Sequence, residues 1–190
     1  MRIVLLGAPG SGKGTQAALL VEALDLPHIS TGELLRAAAK AGTPLGRQAK
    51  AVIDRGELVS DEIMLGLIEE RLSAPDVKKG FILDGYPRNL AQAKALDGLL
   101  ERLGQPVDEA LQIDVDVETL VARIARRAAE EGRSDDTEEV VRKRMRVYAE
   151  QTAPVVDHYA GKGLLSRVLG DGSIEEVFQR IRGVLQIRSR

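Results

Sequence analysis

An α/β fold with a five-stranded parallel sheet flanked by helices is what this sequence predicts, and three observations predict it. Five short apolar runs, Ile3 to Leu6, Pro27 to Ser30, Gly80 to Asp84, Val107 to Val115 and Leu164 to Leu169, alternate with helix-length stretches. Strands separated by helices pair in parallel, with the helices on both faces. The third run, Gly80 to Asp84, is nearly continuous in apolar residues until its closing carboxylate, as a strand buried on both sides is. Finally, a glycine-rich turn, Gly7-Ala8-Pro9-Gly10-Ser11-Gly12-Lys13-Gly14-Thr15, links the first run to Gln16 to Leu24, a stretch of good helix formers.

Composition bounds the rest. A chain of 190 residues fits one domain, 1–190, with a substantial core. That core must be aliphatic, because there are only 3 Tyr, 2 Phe and no Trp. The net charge of −2 lacks the basic excess of a dedicated nucleic-acid binder, so an anionic ligand must be met by a local cluster. The absence of Cys removes disulfides, thiolate zinc sites and cysteine nucleophiles and suits a cytoplasmic setting. Met1-Arg2 leads directly into a strand, and no apolar run approaches the roughly 18 residues of a membrane span, so the expectation is a soluble, unprocessed chain without a membrane partner.

The glycine turn has the phosphate-loop (P-loop) spacing, Gly7 and Gly12 bracketing the variable stretch before Lys13; the hydroxyl falls at Thr15 because Gly14 intervenes. Glycines let successive backbone N–H groups turn toward phosphate oxygens, the following helix presents its positive end, and the lysine adds a mobile cation. The turn predicts a nucleotide triphosphate site formed by Gly10, Ser11, Gly12, Lys13, Gly14 and Thr15. At the other predicted strand edge, Asp84 ends an apolar run where ligands of such sheets bind, placed either to hold water on Mg²⁺ or to cap a helix.

Taken in order, Ser30 and Glu33 have capping-box spacing, so a helix starts there with Arg36 one turn in. Gly42-Thr43-Pro44 breaks it, a second helix is expected from about Leu45 to Arg55, and a third, entered through Ser60-Asp61, ends near Leu72. This strandless segment reads as a helical insertion beside the glycine turn, of the kind that moves. Gly85-Tyr86-Pro87-Arg88 follows Asp84 and leads into a helix from Asn89 to about Leu103. The helix Val117 to Glu131 places Arg123 and Arg127 at i, i+4 on one face, either a solvated basic stripe or an anion site. After the turn Gly132 to Asp136 comes a long helix through Arg142 and Arg144 to Tyr148, with a kink or restart at Thr152-Ala153-Pro154. Ser173 and Glu176 form a second capping box. His28 and His158, far apart and without a visible partner, carry no metal site.

Together these motifs resemble one family, the adenylate kinases. The matching stretches are Gly7 to Gln16, Ser30 to Arg36, Leu83 to Arg88 with Gln92, the Arg123 and Arg127 pair, and Arg133 to Asp136 with Arg144, and they span nearly the whole chain. The resemblance implies a P-loop three-layer sandwich carrying a helical NMP-binding insertion, residues 30–59, and a short lid, residues 127–137. It implies transfer of the terminal phosphoryl group of MgATP to AMP, giving two ADP, by a monomer. It assigns ATP to Gly10 through Thr15, Arg123, Arg127 and Gly172. It assigns AMP to Thr31, Arg36, Glu57, Leu58, Val59, Gly85, Arg88, Gln92, Arg133 and Arg144. The catalytic set is Lys13, Arg88, Arg123, Arg133 and Arg144, with Asp84 on Mg²⁺ through water and no zinc.

A short lid is shared with uridylate/cytidylate kinases, which also have Asn after the Gly-Tyr/Phe-Pro-Arg motif, here Asn89. Thr31 and Gln92 separate the two, since those kinases usually have Ala and Asn there, and a glutamine amide both donates to and accepts from an adenine edge. A third class, a P-loop NTPase switch or regulatory binding protein, needs no second nucleotide site and leaves Arg36, Arg88, Arg133 and Arg144 without a role.

Overall fold

The computed structural model describes residues 1–44, 46–49, 59–131 and 138–187, excluding the side chains of residues 36, 127, 128, 130, 131 and 138–140. Its five strands, β1 (Arg2–Leu6), β2 (His28–Ser30), β3 (Phe81–Asp84), β4 (Glu109–Asp114) and β5 (Leu165–Leu169), form one sheet in the order β2-β3-β1-β4-β5. Every neighbouring pair is parallel. Among the described residues the helices are α1 (Lys13–Leu24), α2 (Thr31–Ala41), α3 (Asp61–Leu72), α4 (Leu90–Arg102), α5 (Val117–Glu131), α6 (Glu138–Val147), α7 (Ala153–Gly161) and α8 (Ile174–Val184).

Three layers follow from the two-residue period of the strands. Val4 and Leu6 of β1 join Phe81 and Leu83 of β3 in a core closed by Ile68 and Leu72 of α3, Leu96 and Leu99 of α4, and Val155 and Tyr159 of α7. Ile3 and Leu5, with Ile82, Leu111 and Ile113, face the other way onto Leu20 of α1 and Phe178 and Ile181 of α8. Each fully buried aliphatic or Phe side chain contributes about 1.5–3 kcal/mol, so aliphatic packing holds both faces with few aromatics.

Local chemistry sets the helix boundaries. Ser30, Ser60, Asn89 and Ser173 each cap a helix with a side-chain oxygen accepting a backbone N–H three residues on. Asn89 therefore takes the cap that was open to Asp84. The capping box at Ser173 is reciprocal, since Glu176 also accepts from the Ser173 N–H. The expected restart near Thr152 takes the form of a π-helical turn, Tyr148–Thr152, joining α6 to α7. Residues 46–49 are helical, while Leu45 and residues 50–55 of the expected second helix lie outside the described residues. No helix among the described residues is long and apolar enough to cross a membrane.

Candidate active site

Because all five strands are parallel, their C-terminal ends lie at one edge, and β1 sits where the chain's progress across the sheet reverses, with β3 on one side and β4 on the other. Ligands of such sheets bind in the crevice at that reversal. The loops after β1, β3 and β5 all open there.

The glycine turn leaves β1 and enters α1 through Gly12, whose φ of 94° lies in the left-handed region. A side chain is strained there, so glycine lets the loop deliver its N–H groups at the start of the helix. Lys13 folds back over the loop, donating to the carbonyls of Gly7 (2.9 Å) and Ala8 (3.1 Å). The Ser11 hydroxyl is buried and has no hydrogen-bond partner among the described residues. Buried polar groups are normally satisfied, so an orphan hydroxyl inside a phosphate loop suits a group that meets a ligand.

Arg123 reaches from α5 across the crevice and clamps two loops, donating to the Ser11 carbonyl (3.4 Å) and the Gly170 carbonyl (2.8 Å). Gln16 makes a second tie, its Nε2 donating to the Ile174 carbonyl at 3.0 Å. Gly172 lies between Gly170 and Ile174 in the turn so held, and Arg180 donates to the carbonyls of Leu169 (2.8 Å) and Asp171 (2.6 Å) on the same turn. The expected triphosphate and adenine segments are thus one connected structure.

On the β3 side, Asp84 ends the strand level with Leu5 of β1 and Ser30 of β2, its side chain 15% exposed. Gly85 turns with φ 84°, and a Cβ there would lie 2.5 Å from the Thr31 hydroxyl oxygen, so Gly85 and Thr31 are in close contact. The Thr31 oxygen is buried without a hydrogen-bond partner among the described residues. After the cis Tyr86-Pro87 bond, the Arg88 guanidinium folds back so that Nε donates to the Gly85 carbonyl at 2.9 Å. Surrounding protein desolvates Arg88 and lowers its pKa, with Asp84 acting in the opposite sense, yet the side chain keeps open surface, as in a cleft. It remains a cation at neutral pH. Gln92, one turn on, is 7% exposed and hydrogen-bonded at both ends of its amide, its Oε1 accepting from Arg88 N–H and its Nε2 donating to Asp61.

The structure therefore brings Thr31, Gly85, Arg88 and Gln92 together on one side of Asp84, and Gly10 to Thr15, Arg123 and the Gly172 turn on the other. Val59 is partly buried and packs against the core on the α3 and α4 side. Arg144 is half-buried on α6. Glu57, Leu58 and Arg133 lie outside the described residues, as do the side chains of Arg36 and Arg127.

One expectation needs correction: His158 does have a partner, its Nε2 lying 2.7 Å from Asp97 Oδ2. His28 Nε2 lies 3.7 Å from Asp84 Oδ2, within ion-pair range but without a hydrogen bond among the described residues. Both carboxylates arrive from neighbouring elements, which linear spacing does not reveal. Sequence reasoning also missed Asp61, Thr152 and the Gln16 tie, all long-range contacts of residues whose local roles are ordinary. Among the described residues no three His, Asp or Glu side chains gather to hold a metal. A lone hard carboxylate at the mouth of a phosphate loop fits Mg²⁺, which keeps waters and takes phosphate oxygens in place of an all-protein cage.

The parallel sheet and the glycine loop at its reversal point define a P-loop nucleotide-binding protein with a second polar cluster facing the loop. The family model described as Adenylate kinase matches residues 5–164. A Stenotrophomonas maltophilia (strain K279a) protein named Adenylate kinase is 62% identical over 186 residues, covering 98% of this chain and all of that one. Its namesake from Xanthomonas euvesicatoria pv. vesicatoria (strain 85-10) is 60% identical over 185 residues, 97% of this chain and 99% of the relative. The chain belongs to the adenylate kinase family.

Proposed function

We propose that this crevice transfers the terminal phosphoryl group of MgATP to AMP, yielding two ADP. One observation carries the reading: a phosphate loop and a separate cluster of Thr31, Gly85, Arg88 and Gln92 open onto the same sheet edge with Asp84 between them. A switch or a simple NTPase has no use for the second cluster.

An oxygen of the AMP phosphate attacks the γ-phosphorus of ATP, the bond from that phosphorus to the β,γ-bridging oxygen breaks, and ADP departs with the electron pair. The attacking phosphate is already ionised, so no general base is needed. Two strongly anionic groups must instead be brought together, and positioning with fixed positive charge does most of the work. Backbone N–H groups of Gly10 through Thr15 hold the ATP phosphates, and Lys13 moves from the carbonyls of Gly7 and Ala8 to follow the phosphoryl group. Arg123 contributes from the donor side and Arg88 from the acceptor side, their planar forks matching phosphate oxygens better than lysine would. Arg127, Arg133 and Arg144 complete the cationic set, Arg36 holds the AMP phosphate, and Glu57, Leu58 and Val59 line the acceptor. Gly172 lies under the donor adenine.

Asp84 would hold through water a Mg²⁺ ion that would supply neutralisation of phosphate charge. Residues 30–59 close as the acceptor flap and 127–137 as a short lid, excluding water that would otherwise hydrolyse ATP. The enzyme works as a cytoplasmic monomer on nucleotides alone, without zinc, nucleic acid or membrane.

A coupled assay of ADP formation with Mg²⁺ and ATP, comparing AMP, UMP, CMP and no acceptor, tests this. Strong AMP-dependent formation is expected. Preference for UMP or CMP would overturn the acceptor assignment, and activity only without an acceptor would overturn the transfer itself.

A further inference from the structure

Gln92 is held in one orientation by its surroundings. Its backbone N–H donates to the Asn89 side-chain oxygen at 2.8 Å, fixing the first turn of α4. Its side-chain oxygen accepts from the Arg88 N–H at 2.7 Å, and its nitrogen donates to Asp61 Oδ1 at 2.6 Å. Asp61 is the first residue of α3 and comes from a different part of the chain. Turning the amide over would set NH₂ against the Arg88 N–H and the carbonyl oxygen against the Asp61 carboxylate. Both hydrogen bonds would break, leaving donor facing donor at one end and acceptor facing a charged acceptor at the other. The amide keeps one further N–H and one further lone pair for a ligand, at ends that cannot exchange.

We propose that Asp61 is a positioning residue which fixes the donor end of the Gln92 amide and so makes the acceptor site choose a 6-amino purine over a 6-oxo purine. This rests on the reading of Gln92 as the group that meets the acceptor base. Adenine offers a 6-amino donor beside the N1 acceptor, whereas hypoxanthine offers a 6-oxo acceptor beside an N1–H donor. A freely turning amide can satisfy either edge, and a fixed one satisfies only one. The discrimination therefore comes from a carboxylate that need not touch the nucleotide, and it arises because the wrong base leaves buried polar groups unpaired.

The test is kcat/KM for AMP and for inosine monophosphate at saturating MgATP, in the wild type and in Asp61→Ala, Asp61→Asn and Gln92→Ala. The wild type is expected to prefer AMP strongly. Asp61→Ala is expected to lower the AMP-to-inosine-monophosphate ratio about tenfold, chiefly through KM for AMP rather than kcat. Asp61→Asn, whose side-chain oxygen can accept the same bond, should return the ratio to within about threefold of wild type. A merely structural role would depress both acceptors alike and leave the ratio unmoved. If Asp61→Ala does not fold, Asp61→Ser carries the same test, since its hydroxyl suits a helix start but is too short to reach the amide. An unchanged ratio in the Asp61 variant while Gln92→Ala collapses it would overturn the inference alone. An unchanged ratio in Gln92→Ala, or a wild-type ratio near one, would overturn the base-reader assignment as well.

Discussion

The hydroxyl of Thr152 donates a 2.7 Å hydrogen bond to the backbone carbonyl of Arg88. Thr152 ends the π-helical turn between α6 and α7, so the turn that bends the chain also anchors the loop carrying Arg88, the arginine proposed for the acceptor side. π-Turns inside helical segments recur at functional sites, and here the extra residue per turn sets a hydroxyl at the cleft. Thr152→Val is expected to lower stability by about 1 kcal/mol and to raise KM for AMP, with Thr152→Ser retaining wild-type behaviour. Thermal melts and acceptor kinetics on the two variants check this.

Gly85 should tolerate no side chain. Its φ of 84° costs a non-glycine residue about 1–2 kcal/mol, and a Cβ would press into the Thr31 hydroxyl oxygen at 2.5 Å. Gly85→Ala is expected to be destabilised by at least that amount and to bind AMP more weakly, with KM for ATP little altered. Denaturant melts with initial rates against each nucleotide measure both effects.

Arg123 bridges Ser11 to Gly170, and in the proposed reaction it also meets the donor phosphates. Arg123→Ala is expected to cut kcat on the order of a hundredfold, the size of a lost transition-state charge contact. Lysine cannot donate in two directions from a planar fork, so Arg123→Lys should recover little of it. Lys13→Met should reduce kcat comparably with a smaller effect on melting temperature. Near-normal turnover in either variant would remove its catalytic assignment.

The Glu176 carboxyl accepts from the backbone N–H of Ser173, and this bond, with the Ser173 side chain beside it, holds its pKa below the ordinary 4.5, with burial opposing and Arg180 assisting. Its folded value is depressed, so the contribution is complete above the unfolded value and is lost as pH falls through the folded one. Glu176→Gln keeps an acceptor but cannot titrate, and should remove part of the loss of melting temperature expected below pH 4.5. Melting curves of both proteins between about pH 3 and about pH 6 test it.

The sheet was legible because its cues are local. The runs around Val4 and Ile82 are continuous in apolar residues, the one around Leu111 sets apolar residues among polar ones, and each is followed by a turn or helix start that stops it. The phosphate loop was legible for a similar reason, since Gly7 through Thr15 are contiguous and their types are dictated by backbone geometry. What the sequence concealed are ties between distant segments. Asp61 reads as the first residue of a capped helix, Thr152 as the prelude to Pro154, and Gln16 as one polar residue on a helix. Their partners, Gln92, Arg88 and Ile174, become neighbours only once the sheet is assembled. The same holds for His158, whose partner Asp97 also accepts from Lys162, in a cluster joining α4 to α7.

The central position of β1 has a consequence for how the molecule comes to exist. Arg2 pairs with Phe81 and Ile3 with Glu109, so the strand that carries the phosphate loop has no neighbour among the residues close to it in the chain. Closing such long loops is costly in entropy before any contact compensates it, which slows folding and leaves the apolar strand uncovered meanwhile. On the ribosome, Ile3 to Leu6 emerge well before residues 81–84 and remain unpaired until β3 follows. The strand that leads into the glycine loop thus stays uncovered while the chain grows, and the crevice is whole only once both β3 and β4 flank β1.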